Sequence, residues 1–245
     1  MRRIGGPVRQ IAVRNLHNQV IQEIGRLIVS GEIKPGELLP REEALAQRMA
    51  VSRTALREAL KVLGSKGLIE TKQKTGSRVR DTRYWNQLDA DILAWRCASM
   101  PTEDFVEKLV EMREIIEPAA AAAAARKRTP EQLARIKTAY EAMAASRDLD
   151  DWAKADLEFH ECVLDAANNE LMGSLFSVID TALGAYFLLS AKTAVDFKYS
   201  LPRHFAVYDA IRLKRPEQAR EAMHGMIVDS RANIKGRGRA RKSPK

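Results

Sequence analysis

Asp156 and His160 stand four residues apart in a segment, 151–167, whose apolar spacing predicts a helix. At that spacing the two side chains leave one helical face and converge. A carboxylate oxygen and an imidazole nitrogen so placed are half of a divalent-metal site. Histidine is scarce in this chain, which has only His17, His160, His204 and His224. His204 opens a later predicted helix and can complete three ligands across a helical bundle. Asp with two His suits zinc foremost, with nickel or manganese as alternatives. The other reading of the same spacing is an ordinary Asp–His pair in a core or on a surface.

A second group of residues has the chemistry to read a polyanion. Ser52, Arg53, Thr54 and Arg57 lie at the start of a predicted helix ending near Ser65, with Ser52 as its N-cap. Arg53 and Arg57 share one face, while Leu56, Leu60 and Leu63 face the other way, toward a core. A shorter predicted helix, Arg41 to Met49, precedes them across the tight turn Ala50-Val51. Two short helices so joined match a helix-turn-helix, whose second helix lies in the major groove with its N-terminal residues on base edges. Upstream, Val20, Ile24, Leu27 and Ile28 stripe a helix from about Leu16 to Ser30 that Gly31 stops. Downstream, Leu68–Gln73 and Ser77–Arg80 pattern as strands around Lys74-Thr75-Gly76, a basic wing tip suited to phosphate contact.

Charge follows the same division. The 245 residues carry 41 Lys and Arg against 32 Asp and Glu, a net +9. Residues 1–83 hold 17 basic and 8 acidic side chains, residues 84–230 hold 17 and 24, and residues 231–245 hold 7 and none. The positive charge is therefore concentrated where the reading helix lies and in the tail, which is the pattern of a nucleic-acid-binding module rather than of a uniformly solvated surface. A hydrophobic content of 45% supports a packed core and excludes general disorder. No apolar run reaches membrane-spanning length, and Met1–Pro7 lacks a signal-peptide pattern, so no membrane association is expected. Two separated cysteines, Cys97 and Cys162, offer no disulfide framework and fit a cytoplasmic protein.

Taken together, Leu39-Pro40-Arg41-Glu42-Glu43-Ala44-Leu45-Ala46, Val51-Ser52-Arg53-Thr54-Ala55-Leu56-Arg57-Glu58-Ala59-Leu60 and Gly67-Leu68-Ile69-Glu70 resemble the DNA-binding domain of the GntR family of bacterial regulators. The resemblance implies a winged helix-turn-helix, residues 14–83, with a small two-stranded wing behind a flexible basic N-terminus, 1–13. It implies operator contacts from Ser52, Arg53, Thr54, Arg57 and Gly76. Glu43 is a departure, since members of the family often have Arg at that position.

The remainder reads as mainly α. After a linker, 84–101, helices are predicted from Thr102 to Lys127, from Thr129-Pro130, over 151–167, 170–190, 202–213 and 216–234, with a disordered basic tail at 235–245. Pro118 falls within the first of these, and the run Ala119–Ala125 favours helix and permits close approach of a neighbour. An all-α bundle follows. Arg113-Glu114-Ile115-Ile116-Glu117-Pro118, Asp156-Leu157-Glu158-Phe159-His160, Asn168-Asn169-Glu170-Leu171 and the segment from His204 to Ile211 resemble the effector-binding FCD domain of the FadR subgroup. That resemblance implies a homodimer on an inverted-repeat operator and a metal held by Asp156, His160 and His204. Where a fourth His is common, this chain has Met226, and His224 lies two positions earlier, about 200° away around a helix. Either an irregular turn at Lys214-Arg215-Pro216 brings His224 in, or three protein ligands leave positions open for an effector.

Trp85-Asn86-Gln87-Leu88-Asp89 is similar to the linker of galactonate-type, sugar-acid regulators of that subgroup. The implied effector is a small hydroxy-carboxylate on the metal, with Arg113 and Asn169 binding it. The alternative for Arg113 is an intrahelical pair with Glu117 at i+4, and for Asn169 a helix cap. The expected function is thus a transcriptional repressor released by its effector, with no catalytic residue. A metal-dependent hydrolase carrying a nucleic-acid module is the alternative. Glu161 beside His160 would be its general base, but no HExxH, nucleophile elbow or second carboxylate cluster accompanies it. A charge-driven architectural or RNA-binding role is a third reading, disfavoured by an aromatic content of 6%.

Overall fold

The computed structural model describes residues 7–72, 75–99, 103–190 and 198–240. The chain divides into two compact units, Met1–Met100 and Pro101–Lys245.

The first unit is built around α1 (Pro7–Val29), α2 (Glu42–Arg48) and α3 (Arg53–Ser65). Val20, Ile21, Ile24 and Ile28 of α1 are buried against Leu45 and Ala46 of α2 and Leu56, Ala59, Leu60 and Leu63 of α3. The Ser52 hydroxyl accepts from Ala55 N at 3.1 Å, so the expected N-cap is formed. The turn between α2 and α3 places Ala50 at φ +52°, a left-handed conformation rare for a residue with a Cβ. β1 (Ile69–Lys72) pairs antiparallel with β2 (Gly76–Val79) in the register Ile69↔Val79 to Lys72↔Gly76. The segment before α2 joins the edge of β2, with Gly36 N donating to Val79 O and Leu39 N to Ser77 O. Lys74, expected at the wing tip, lies outside the described residues.

Within the segment read from sequence as a linker, residues 90–99 form a helix, α4 (Ala90–Ser99), that packs on α1. Ile92, Leu93 and Trp95 are its buried face. Trp95 lies against Gly25 so closely that a Cβ there would overlap the indole. Its Nε1 donates to Gln22 Oε1 at 2.6 Å, and Trp85 Nε1 donates to Arg80 O at 3.0 Å. The short length and acidic start of this segment concealed a helix that apolar packing stabilises. Lys66, at the end of α3, is tied to Asp89 and Asp91 at the start of α4.

The second unit is all-helical: α5 (Glu103–Lys127), α6 (Pro130–Ala145), α7 (Leu149–Asp165), α8 (Glu170–Gly173), α9 (Phe176–Ser190), α10 (Leu201–Arg212) and α11 (Pro216–Ala240). α5 is its centre and packs most extensively on α11, with α7, α9 and α10 also against it. Ala120, Ala121, Ala122, Ala124 and Ala125 are fully buried there, the small side chains admitting close neighbours. Thr129 and Gln132 form a reciprocal capping box at the start of α6. The helix expected over 170–190 is broken into α8 and α9 around Ser174, where Gly173 and Ser174 disfavour continuation. α11 continues past Ile234, where the sequence placed its end, to Ala240; residues 241–245 lie outside the described residues. So does Thr102, the expected cap of α5. Among the described residues no helix is long and apolar enough to cross a membrane.

Candidate functional site

α7 is amphipathic. Trp152, Ala155, Phe159 and Val163 turn toward the core, and that face carries Asp156 and His160 inward with them. α10 brings His204 in from its first turn. All three are nearly inaccessible, at 4%, 1% and 2% exposure respectively. Ionisable groups so deeply buried require compensation. Their candidate ligand atoms lie within 4.8 Å of one another. Asp156 Oδ1 is 3.1 Å from His204 Nε2, and Asp156 Oδ2 is 3.8 Å from His160 Nε2.

The far sides of both rings are occupied. His204 Nδ1 is 3.0 Å from the Ser200 carbonyl, an arrangement satisfied when Nδ1–H donates. His160 Nδ1 contacts Glu117 Oε2. Each ring thereby directs Nε2 toward the Asp156 carboxylate. Phe159 and Trp152 meet the His204 ring edge-on, at centroid distances of 5.1 and 6.0 Å, and fix its plane.

Asp156 Oδ2 has no hydrogen-bond partner in this buried setting. With Nδ1–H donating to the Ser200 carbonyl, His204 Nε2 turns a lone pair rather than a proton toward Asp156 Oδ1, 3.1 Å away. Unsatisfied lone-pair atoms converging from two helices, with each imidazole held from behind by a carbonyl or a carboxylate, are the donor set a divalent cation needs. The residues therefore fit the metal that the sequence suggested.

Glu117 is the residue that sequence reasoning missed as part of the site. It is fully buried on α5, and Arg113 Nε donates to its Oε1. Burial alone would raise its pKa; Arg113 and then His160 outweigh that and hold it at about 2. Burial likewise works against the charge on Asp156, yet His204, His160 and Arg113 hold its pKa below the ordinary value. The signal was present as the Arg113–Glu117 i,i+4 spacing. What the sequence lacked was the approach of α7 to α5.

The other candidates separate cleanly. Arg113 is 3% exposed and makes the intrahelical pair beside the cluster. Asn169 is exposed, and its Oδ1 accepts from Leu171 N at 3.2 Å as the cap of α8, so it is not drawn into the cluster. His224 is exposed and Met226 buried, so the irregular-turn alternative for His224 is not adopted. Glu161 is exposed, outside the buried group of Asp156, His160 and His204.

In the first unit, Ser52, Arg53, Thr54 and Arg57 are all exposed on the first two turns of α3. Gly76, exposed at the start of β2, adopts φ +90°, which a residue with a Cβ resists. Glu43 pairs with Arg53, and Glu42 Oε2 accepts from Arg57 Nε at 2.7 Å.

A winged helix-turn-helix with exposed arginines on its second helix, followed by a helical unit with a buried Asp–His cluster, defines a two-domain transcriptional regulator. Residues 16–79 match the family described as bacterial regulatory proteins, gntR family, and residues 108–229 match the FCD domain. The chain belongs to the GntR family and is a DNA-binding transcriptional regulator of that family. It is 32% identical over 223 residues to the galactonate operon transcriptional repressor of Escherichia coli K12, spanning 90% of this chain and 97% of that one. It is 35% identical over 205 residues to the HTH-type transcriptional regulator LutR of Bacillus subtilis, spanning 80% and 91%. Among solved structures, the Listeria monocytogenes regulator Lar superposes with a TM-score of 0.63 at 20% identity, covering 95% of this chain and 98% of that one, a likeness of fold.

Proposed function

We propose that this chain is a homodimeric repressor released from an inverted-repeat operator by a small hydroxy-carboxylate, a sugar acid, bound at a divalent metal. Asp156, His160 and His204 hold the metal. Arg113 stands beside them as the cation that faces the effector's carboxylate. When bound, the metal supplies a Lewis-acid position at which a carboxylate and a neighbouring hydroxyl can be gripped. Arg53, Thr54 and Arg57 read the major groove of one half-site, Ser52 caps the helix that carries them, and Gly76 lets the wing backbone approach phosphate.

The observation that carries this reading is the pair of imidazoles whose Nε2 atoms face one buried carboxylate. The galactonate operon repressor, similar over 90% of the chain, supports the sugar-acid class and the sign of regulation. An effector acts by binding one arrangement of the dimer better than another, and only by that difference in affinity.

A thermal-shift screen of sugar acids and simple carboxylates, run with zinc, nickel, manganese or chelator, tests the proposal. A sugar acid that raises Tm only with metal, and dissociates the protein from a duplex upstream of its own gene, is the expected result. Stabilisation by sugar acids that is indifferent to chelator, and unchanged in Asp156→Asn, would overturn the metal-centred reading.

A further inference from the structure

Arg53 and Arg57 do not stand alone on the reading helix. Arg53 Nη2 is paired with Glu43 Oε1, and Arg57 Nε with Glu42 Oε2 at 2.7 Å. Both carboxylates come from the first turn of α2, the preceding helix of the same helix-turn-helix. The arginine side chains are 64% and 65% exposed, and their partners 65% and 36%. Ion pairs in that much water contribute little to stability. Their consequence lies in the charge and aim of the surface offered to DNA.

We propose that Glu42 and Glu43 are specificity-determining residues that act as built-in counter-ions to Arg57 and Arg53. The inference rests on α3 being the reading helix. A phosphate seeking either guanidinium must displace or share a carboxylate and must also approach that carboxylate's negative charge. Contact with arbitrary backbone is thereby weakened. A guanine edge is neutral and takes two parallel N–H donors on its O6 and N7. Glu42 engages Arg57 through Nε, which leaves both terminal nitrogens as a fork. Glu43 engages a terminal nitrogen of Arg53, so Arg53 reads a base only where the sequence draws it away from Glu43. The two pairs thus suppress indiscriminate binding more than they suppress binding to the correct site.

The test uses full-length protein and two duplexes: one recovered by selection from a randomised library with the unaltered chain, and a shuffled version of it. Affinities are read by fluorescence anisotropy across a salt series for Glu42→Gln, Glu43→Gln and the control Glu32→Gln, whose partner Arg26 lies on α1. Each of the first two substitutions should tighten binding to the shuffled duplex and steepen its slope of log affinity against log salt by about 0.9, as one more cation engages phosphate. The preference for the selected duplex should fall several-fold, while Glu32→Gln leaves slope and preference as they were. Unchanged slope and preference in both α2 variants, or equal tightening on both duplexes, overturns the inference. Arg53→Ala and Arg57→Ala are measured alongside. If they retain the full preference, the reading of α3 itself fails; if they lose it while the Gln variants change nothing, only the counter-ion role fails.

Discussion

Glu117 grips His160 by Nδ1, on the side of the ring opposite the one that faces Asp156. A carboxylate behind a ligating imidazole fixes its tautomer and raises its basicity. Glu117 is itself held by Arg113, so α5 supplies a two-residue brace to an imidazole carried on α7.

That brace gives a first prediction. Glu117→Gln keeps the shape and removes the charge, and it should weaken divalent-metal binding about 10- to 100-fold. Competition against a chromophoric chelator measures it. Affinity equal to that of the unaltered chain would show that His160 needs no support from α5.

The same residue sets a pH dependence for metal-free protein. Its folded pKa of about 2 lies below the ordinary 4.5, so the unfolded chain binds the proton more readily. The stabilisation is therefore complete above pH 4.5 and fades as pH falls from there toward 2. Urea unfolding in chelator between pH 5.5 and 3.5 should show a steeper loss for the unaltered chain than for Glu117→Gln. Parallel curves would assign the acid sensitivity to other carboxylates.

Gly25 and Trp95 provide a third prediction. Gly25→Ala places a Cβ where the indole lies and should cost about 1–3 kcal/mol by overpacking. Thermal unfolding of the first unit should fall, with a red shift of tryptophan emission as Trp95 is displaced. An unshifted spectrum would mean that α4 adjusts without releasing the ring.

Ala50 supplies a prediction of opposite sign. At φ +52° its methyl is strained, and Ala50→Gly relieves about 1–2 kcal/mol of that while giving back about 0.4–1 kcal/mol of unfolded-state entropy. A small rise in Tm is expected by calorimetry; a fall would show that the turn tolerates the methyl without strain.

These residues also mark what could be read from sequence. Ser52, Leu56, Leu60 and Leu63 announced α3 because capping and periodicity are local. Asp156 and His160 announced their pairing for the same reason, and His204 was legible through its rarity. α4 was not, because its case rests on Trp95 meeting a glycine 70 positions earlier. Glu117 was visible only as a partner for Arg113, since its contact with His160 depends on how two helices dock. Asn169 shows the converse: the sequence offered both cap and ligand, and the local role is the one the structure records.

The pairing of α5 with α11 has a consequence in time as well as in space. The unit's central helix finds its most extensive partner in the last helix of the fold. At about 5–20 residues per second, the roughly 90 residues between Lys127 and Pro216 keep α11 from reaching α5 for several seconds of synthesis. Throughout that interval α5 lacks its most extensive partner. Closure of the helical unit is therefore a late event in the life of each new chain, and until then the apolar side chains of α5 are open to capture by other apolar surfaces.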